Sequence, residues 1–389
     1  MRRPYVSALI VVLVSFASIV LSANTTFKST AHDYRLVTVV DALIQPWSIA
    51  FLPGGDMLIT ERPGRLRIVR QGKLLAQAVE GVPPVFHSSQ GGLLEVMPHP
   101  NFAANRLLYL TYSKPGATES QARTALIRGR FENDRLIRVE QLFEAVAQGR
   151  NHFSGKIAFD RNGYLFLTLG DRQVPPEGNL EAHPAQDLTN HHGKIIRLHD
   201  DGRVPADNPF ANRAGARPEI WSYGHRNVQG LAIHPETGDL WANEHGPQGG
   251  DELNRIQPGR NYGWPVIGFG VNYTTGLAIH SGTQRQGMEQ PMRIWVPSIG
   301  ISGLMFYTGD RFPQWRGNMF VGGMVGQQLS RLTLDGQRVI NEETLVQRTG
   351  RIRDIRQGPD GFIYLVTDDR DGKPTPVFRM EPLDRTGTR

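Results

Sequence analysis

Residues 154–171, SGKIAFDRNGYLFLTLGD, decide the fold. An apolar run, Ile157 to Phe159, leads into a turn built on Asp160 and Gly163, and a second apolar run, Leu165 to Leu169, leads out. That is the signature of a two-stranded hairpin. The same phrase recurs at PWSIAFLPGGDMLITE from Pro46, GGLLEVMPHPNFAANRLLYLTYS from Gly91, and VQGLAIHPETGDLWANE from Val228. It returns as ISGLMFYTGDRFPQWRGNMFVGG from Ile301 and RIRDIRQGPDGFIYLVTDD from Arg351, which makes six copies. A hairpin cannot bury both faces alone, so repeats of this length predict an all-β, six-bladed β-propeller with four-stranded antiparallel blades.

The first strands centre near Ile49, Leu94, Ile157, Leu231, Leu304 and Ile355. Most of these spacings exceed the roughly 40–50 residues of a minimal blade, so the surplus predicts long loops at the channel mouth. The expected organisation is a signal peptide over residues 1–23, a linker over 24–33, one propeller domain over 34–380, and a polar tail over 381–389. Length alone, 389 residues, would suggest two or three domains; the repeat argues for one closed ring.

The N-terminus pairs a basic start, Arg2 and Arg3, with an apolar run from Ala8 to Leu21 and a small-residue cleavage site at Leu21-Ser22-Ala23. This reads as a secretory signal leading to the periplasm, the run being shorter than the ~20 residues a membrane span needs. No stable membrane insertion is expected after cleavage. The chain has no cysteine, so it has neither disulfides nor a thiol for lipidation. A net charge of +6 comes from scattered arginines rather than a basic run, which argues against nucleic acid and for a small anion at the mouth.

The candidate chemical residues lie beside the repeat strands. His152 and Asp171 flank one hairpin, whose return places its two ends together; a carboxylate holding an imidazole is what a general base needs. Arg226 and Asn227 precede another repeat strand. Arg351 and Arg353 alternate along a third, so they share a face, and two adjacent guanidiniums call for an anion. Asn243 to Pro265, NEHGPQGGDELNRIQPGRNYGWP, gathers Glu244, Asp251, Glu252 and Asn254 among glycines and prolines, a hard-oxygen set suited to calcium without the spacing of an EF-hand. His191 and His192 are neighbours and, in an extended chain, point apart, which disfavours a shared metal.

Together these phrases resemble the soluble pyrroloquinoline-quinone (PQQ)-dependent glucose/sorbosone dehydrogenase family, in particular its aldose sugar dehydrogenase branch. The resemblance spans nearly the whole mature chain, through PWSIAFLPGGDMLITERPGRLRIV, SSQGGLLEVMPHPNF, NHFSGKIAFDRNGYLFLTLGDR, YGHRNVQGLAIHP, NEHGPQGGDELN with NYGWP, and GRIRDIRQGPDG. It implies PQQ and Ca2+ as cofactors, a sugar substrate oxidised at its C1 hydroxyl to a lactone by hydride transfer to the quinone, and an unidentified electron acceptor. It implies His152 as the base, Asp171 as its orienting acid and Arg226 as a catalytic and cofactor contact. Gln90, Asn227, Tyr273, Trp295, Arg351 and Arg353 complete the implied cofactor contacts. Gly246, Pro247, Glu252 and Tyr262 are the implied metal ligands, several through backbone oxygens. One departure stands out: where the family commonly places a quinone-contacting lysine, this chain has Val325, which predicts weaker cofactor binding unless a neighbour such as Gln327 compensates. A calcium-dependent lactonase and a non-catalytic binding propeller remain open as alternatives on the same architecture.

Overall fold

The computed structural model describes residues 25–383 and shows six antiparallel sheets around one axis. Blade 1 comprises Pro46–Phe51, Met57–Glu61, Arg65–Arg70 and Lys73–Leu74. Blade 2 is Leu93–Pro98, Leu107–Lys114, Arg123–Glu132 and Arg135–Glu144; blade 3 is Ile157–Phe159, Leu165–Leu169, Lys194–Leu198 and Ile220–Tyr223. Blade 4 is Val228–Ile233, Leu240–Glu244, Asp251–Ile256 and Arg293–Trp295, and blade 5 is Ile301–Phe306, Met319–Gly323, Gln328–Asp335 and Arg338–Gln347. Blade 6 takes Arg351–Gln357, Ile363–Asp368 and Pro374–Pro382 from the end of the chain and Tyr34–Ile44 from its beginning. Pairing Leu36 with Met380 and Thr38 with Phe378 therefore closes the ring with both ends of the chain in one sheet.

The segment read as a linker carries a short strand, Thr26–Phe27, paired with Tyr34 and Arg35, and the Phe27 ring stacks on Tyr34 at 5.4 Å. An aromatic pair of this kind holds a strand that would otherwise fray. The signal-peptide segment and most of the expected tail lie outside the described residues. Among the described residues no helix is long and apolar enough to cross a membrane.

The six strand centres read from the sequence, Ile49, Leu94, Ile157, Leu231, Leu304 and Ile355, are all buried. Apolar side chains from adjacent blades meet at every seam. Leu58 and Leu66 pack with Leu93 and Leu108, Leu126 with Leu167, Phe166 with Leu231, Trp241 with Leu304, Phe320 with Ile352, and Val366 with Ile59. Each fully buried side chain of this size contributes about 1.5–3 kcal/mol, so the seams hold the ring shut without covalent cross-links.

The channel itself is plugged by charge. Lys156 Nζ lies 3.0 Å from both Glu95 Oε2 and Asp354 Oδ1, and Arg356 reaches Glu95 at 2.7 Å and Asp354 at 3.5 Å. Asp354 also accepts from the amide of Ile49 and Glu95 from the hydroxyl of Ser48, so strands from blades 1, 2 and 6 and the lead-in to blade 3 meet in one buried network. Removing one member strands its partners without water. Asp354→Ala is therefore expected to cost about 3–5 kcal/mol, read as a lower denaturant midpoint; an unchanged midpoint would show that the plug does not brace the ring.

Candidate active site

Five of the six innermost strands skip register near their start, between Pro46 and Ser48, Leu93 and Val96, Val228 and Gly230, Ile301 and Leu304, and Ile352 and Asp354. A bulge re-aims the extra residue and often marks a barrel rim or an active site. Here the skipped residues include Trp47, Leu94, Gln229 and Arg353, and all four line one cleft of about 590 Å3 at the channel mouth. The repeat thus builds its site by one local irregularity used again and again. Blade 3 differs: His152 and Ser154, just ahead of its first strand, hold left-handed φ angles of 46° and 56°.

The cleft is rich in guanidinium. Arg62, Arg351, Arg353 and Arg370 all line it, together with Gln90, Asn227, His245 and Tyr273. Arg353 pairs with Asp368 at 3.1 Å and donates to Gln229 Oε1 at 3.4 Å, whereas among the described residues the Arg351 guanidinium has only the thioether of Met324 as a hydrogen-bond partner, at 3.6 Å. Arg62 donates to the carbonyls of Gly91 and Ser89, bracing the turn that carries Gln90. The Nε atoms of Arg351 and Arg353 and one oxygen of Asp368 are buried without a partner. Burial, reinforced by the positive charge of Arg353, lowers both Arg62 and Arg351 to about 10. Guanidiniums crowded in this way are a chemistry suited to an anion. Arg62 and Arg370 were not foreseen from the sequence, though each follows closely on the second strand of a repeat hairpin, Met57–Glu61 and Ile363–Asp368.

A second cavity of about 200 Å3 adjoins the cleft, and Pro247 and Tyr273 border both. His152, Asp171, Arg226, Trp264, Gln173, Asn272 and a largely apolar wall enclose it. His152 Nδ1 sits 2.6 Å from Asp171 Oδ1, and the other carboxylate oxygen accepts from the Trp264 indole at 2.8 Å. The amides of Gln173 and His152 are also spent, on Asp171 Oδ1 and on Gln90 Oε1. Burial keeps the imidazole pKa below its usual value; Asp171 opposes that shift, and Arg226 and Arg172 add to it. Burial also works to raise the Asp171 carboxyl, but the imidazole, Arg226 and the Gln173 amide outweigh it and hold it below the usual range. The pair is therefore a neutral imidazole on an ionised carboxylate. With Nδ1–H directed to Asp171, Nε2 carries the lone pair a base needs.

Arg226 lines the cavity at His152 and also the small pocket beside Glu244 and Glu252. Its guanidinium donates to the carbonyl of Gly246 at 2.8 Å and stacks over Trp264 at 5.1 Å, while its Nε has no partner. Asn227 Oδ1 accepts from Ser154 and Gln229, which orients its amide at the cleft floor. Gly246 and Pro247 line the cleft.

Glu252 and Tyr262 instead border a separate pocket of about 20 Å3, room for one small ion, together with Glu244 and Gly246. Burial pushes the Glu252 carboxyl up to about 8, and Glu244 adds to the shift. The Tyr262 hydroxyl is already committed to the Arg255 carbonyl and the Gln257 amide, which leaves its backbone oxygen for any ion. Asp251, counted with the hard-oxygen ligands in the sequence, is spent on the amides of Gly246 and Ile301. Glu244 likewise holds His225 and the amide of Arg226. Among the described residues no three His, Cys, Asp or Glu side chains converge, so an ion here would need backbone carbonyls beside the Glu252 carboxylate. A calcium-type donor set fits that arrangement better than a transition-metal set.

Two sequence-derived placements need correction. Trp295 does not reach the cleft: it lies on the outermost strand of blade 4, packed in the seam with blade 5, and its indole donates to Glu342 at 2.9 Å. Gln327 is not among the cleft-lining residues, so it does not replace the cation absent at Val325, which does line the cleft and is 59% exposed. His191 and His192 diverge, one bound to Glu219 and the other to Asn190.

The glucose/sorbosone dehydrogenase family model matches residues 43–379, nearly the whole ring. The chain belongs to that family. It is 43% identical to the aldose sugar dehydrogenase YliI of Escherichia coli strain K12, over 86% of this chain and 90% of that protein. A solved glucose dehydrogenase structure is 46% identical, with a TM-score of 0.84 over 89% of this chain and 99% of its own. The PQQ-bound form of the aldose sugar dehydrogenase of Streptomyces coelicolor is 28% identical, with a TM-score of 0.72 over 90% and 98% of the two chains. The family membership makes the chain a sugar-dehydrogenase-type oxidoreductase.

Proposed function

We propose that this protein oxidises the C1 hydroxyl of aldose sugars to lactones with pyrroloquinoline quinone as acceptor and calcium as a second cofactor, acting in the periplasm. The observation that carries this reading is the adjacency of two cavities: a guanidinium-lined cleft sized for a flat polycarboxylate, and a smaller one centred on the His152–Asp171 pair. Arg351, Arg353 and Gln90 would hold the quinone, with Asn227, Tyr273 and Arg226 beside them. When bound, it supplies the two-electron acceptor, and calcium on the carbonyls of Gly246 and Pro247 supplies a Lewis acid.

The protein's own part is positioning and proton transfer. The sugar occupies the cavity at His152, whose Nε2 takes the proton from the C1 hydroxyl. Asp171 keeps the ring in the productive tautomer and stabilises the imidazolium that results. Arg226 lines the His152 cavity and donates to the carbonyl of Gly246 at the edge of the cleft, so it stabilises negative charge that develops beside His152. Titrating apo-protein with the quinone and calcium, then testing an aldose panel with a dye acceptor, decides the matter. Lactone hydrolysis without quinone would replace this reading with the lactonase; neither activity would leave a binding propeller.

The small pocket at Glu252 makes a separate expectation. Its carboxyl, pushed up to about 8, is largely protonated at neutral pH in the metal-free protein. Binding a divalent cation must displace that proton, so calcium affinity is expected to rise as pH climbs from 6 towards 8, with proton release detectable by calorimetry in two buffers. An affinity flat across that range would remove Glu252 from the ligand set.

A further inference from the structure

Arg172 is a buried arginine whose guanidinium, among the described residues, has no hydrogen-bonded carboxylate. Its NH1 donates to the carbonyl of His152, its NH2 to Thr124 Oγ1 at 2.7 Å, and its Nε to the carbonyl of Ala147 at 3.4 Å. The same Thr124 hydroxyl donates to the carbonyl of Phe153 at 2.8 Å, and the guanidinium lies over the Phe153 ring at 4.8 Å. Thus the peptide on each side of Phe153 is gripped by one clamp. The amide of His152 is gripped too, by Gln90. Gly170 closes the third side, where any Cβ would stand 2.0 Å from the His152 carbonyl oxygen.

Burying an unpaired cation costs several kcal/mol, and a neutral side chain could fill the space. A backbone at φ 46° is also strained for a histidine, and such strain persists only where the surroundings over-determine it. The two costs fall on residues in direct contact, Arg172 and His152, and His152 is the one that would act as base.

We propose that Arg172, through the clamp it forms with Thr124, is a positioning residue that fixes the His152 backbone so that the imidazole meets Asp171 and the sugar. The inference rests on the dehydrogenase reading above. The charged and titratable groups around His152 are Asp171, Arg226, Arg172 and, farther off, His245; Arg172 itself also faces His192. Removing the cation takes one positive charge away from the imidazole. The imidazolium then forms more readily, and the acid limb of kcat/KM moves to higher pH.

The test compares Arg172→Met, Arg172→Lys and Thr124→Val in quinone- and calcium-loaded protein. Arg172→Met is expected to lower kcat by about 10- to 100-fold, since small misplacements of a reacting group cost this much. Its acid limb is expected to rise by about 0.5–1 pH unit, with quinone affinity from an absorption titration unchanged. Arg172→Lys should restore the position of the acid limb but only part of kcat. Thr124→Val, which keeps the charge, should lower kcat without moving the limb, and it serves alone if Arg172→Met fails to fold. Wild-type kcat in Thr124→Val, or in a folded Arg172→Met whose acid limb has not moved, overturns the proposal. A wild-type protein that binds quinone yet oxidises no aldose refutes the underlying reading instead.

Discussion

Replacing His152 with alanine is expected to cut turnover by about 10²–10⁴-fold, the usual worth of a general base, while the quinone still binds. The separation of the two effects follows from the geometry. The imidazole lines the smaller cavity and bonds to Asp171, whereas the guanidiniums line the larger one. A quinone titration followed by single-turnover kinetics on the same sample measures both. In the wild type, burial with Arg226 and Arg172 keeps the imidazole neutral to lower pH than a free histidine. The base is therefore competent throughout the neutral range, and kcat/KM should fall only as pH drops below the ordinary imidazole value of ~6.5. A limb at or above that value, or near-normal turnover in His152→Ala, would take the role away from this residue.

The hairpin half of each blade was legible because it has a period of two, a turn residue and an apolar run, all local properties. The outer strands carry weaker alternation and were not placed. Closure through Tyr34–Ile44 depends on a pairing across more than 300 residues, which no local pattern announces. The site divides in the same way. His152 and Asp171 were paired by hairpin geometry, and the contact is 2.6 Å long. Arg353, expected to alternate with Arg351 on a regular strand, sits instead at a bulge, and the bulge still brings both to the cleft. Trp295 was placed by resemblance with no physical argument behind it, and packing against blade 5 claimed it. Arg62 went unseen because it follows its strand, although the strands of one hairpin share an end.

Arg351→Ala is expected to weaken quinone binding by about ten- to a hundredfold, since a charge-assisted contact is worth about 1.5–3 kcal/mol, and to do so without destabilising the metal-free, quinone-free protein. The second half distinguishes a ligand-binding arginine from a structural one. Arg351 holds no carboxylate, keeps a buried Nε without a partner, and is lowered to about 10 first by burial and then by Arg353. Its charged form is thus disfavoured in the folded apo-protein, so deleting it removes a buried cation and its repulsion with Arg353. The apo melting temperature should hold or rise. Arg353→Ala must behave differently: it strands Asp368, already short of one partner, and should lower both affinity and melting temperature. The contrast between adjacent arginines is the informative result. Were Arg351→Ala to melt lower while binding quinone as tightly as the wild type, the cationic cleft would be scaffolding, and an anionic cofactor would have no place in it.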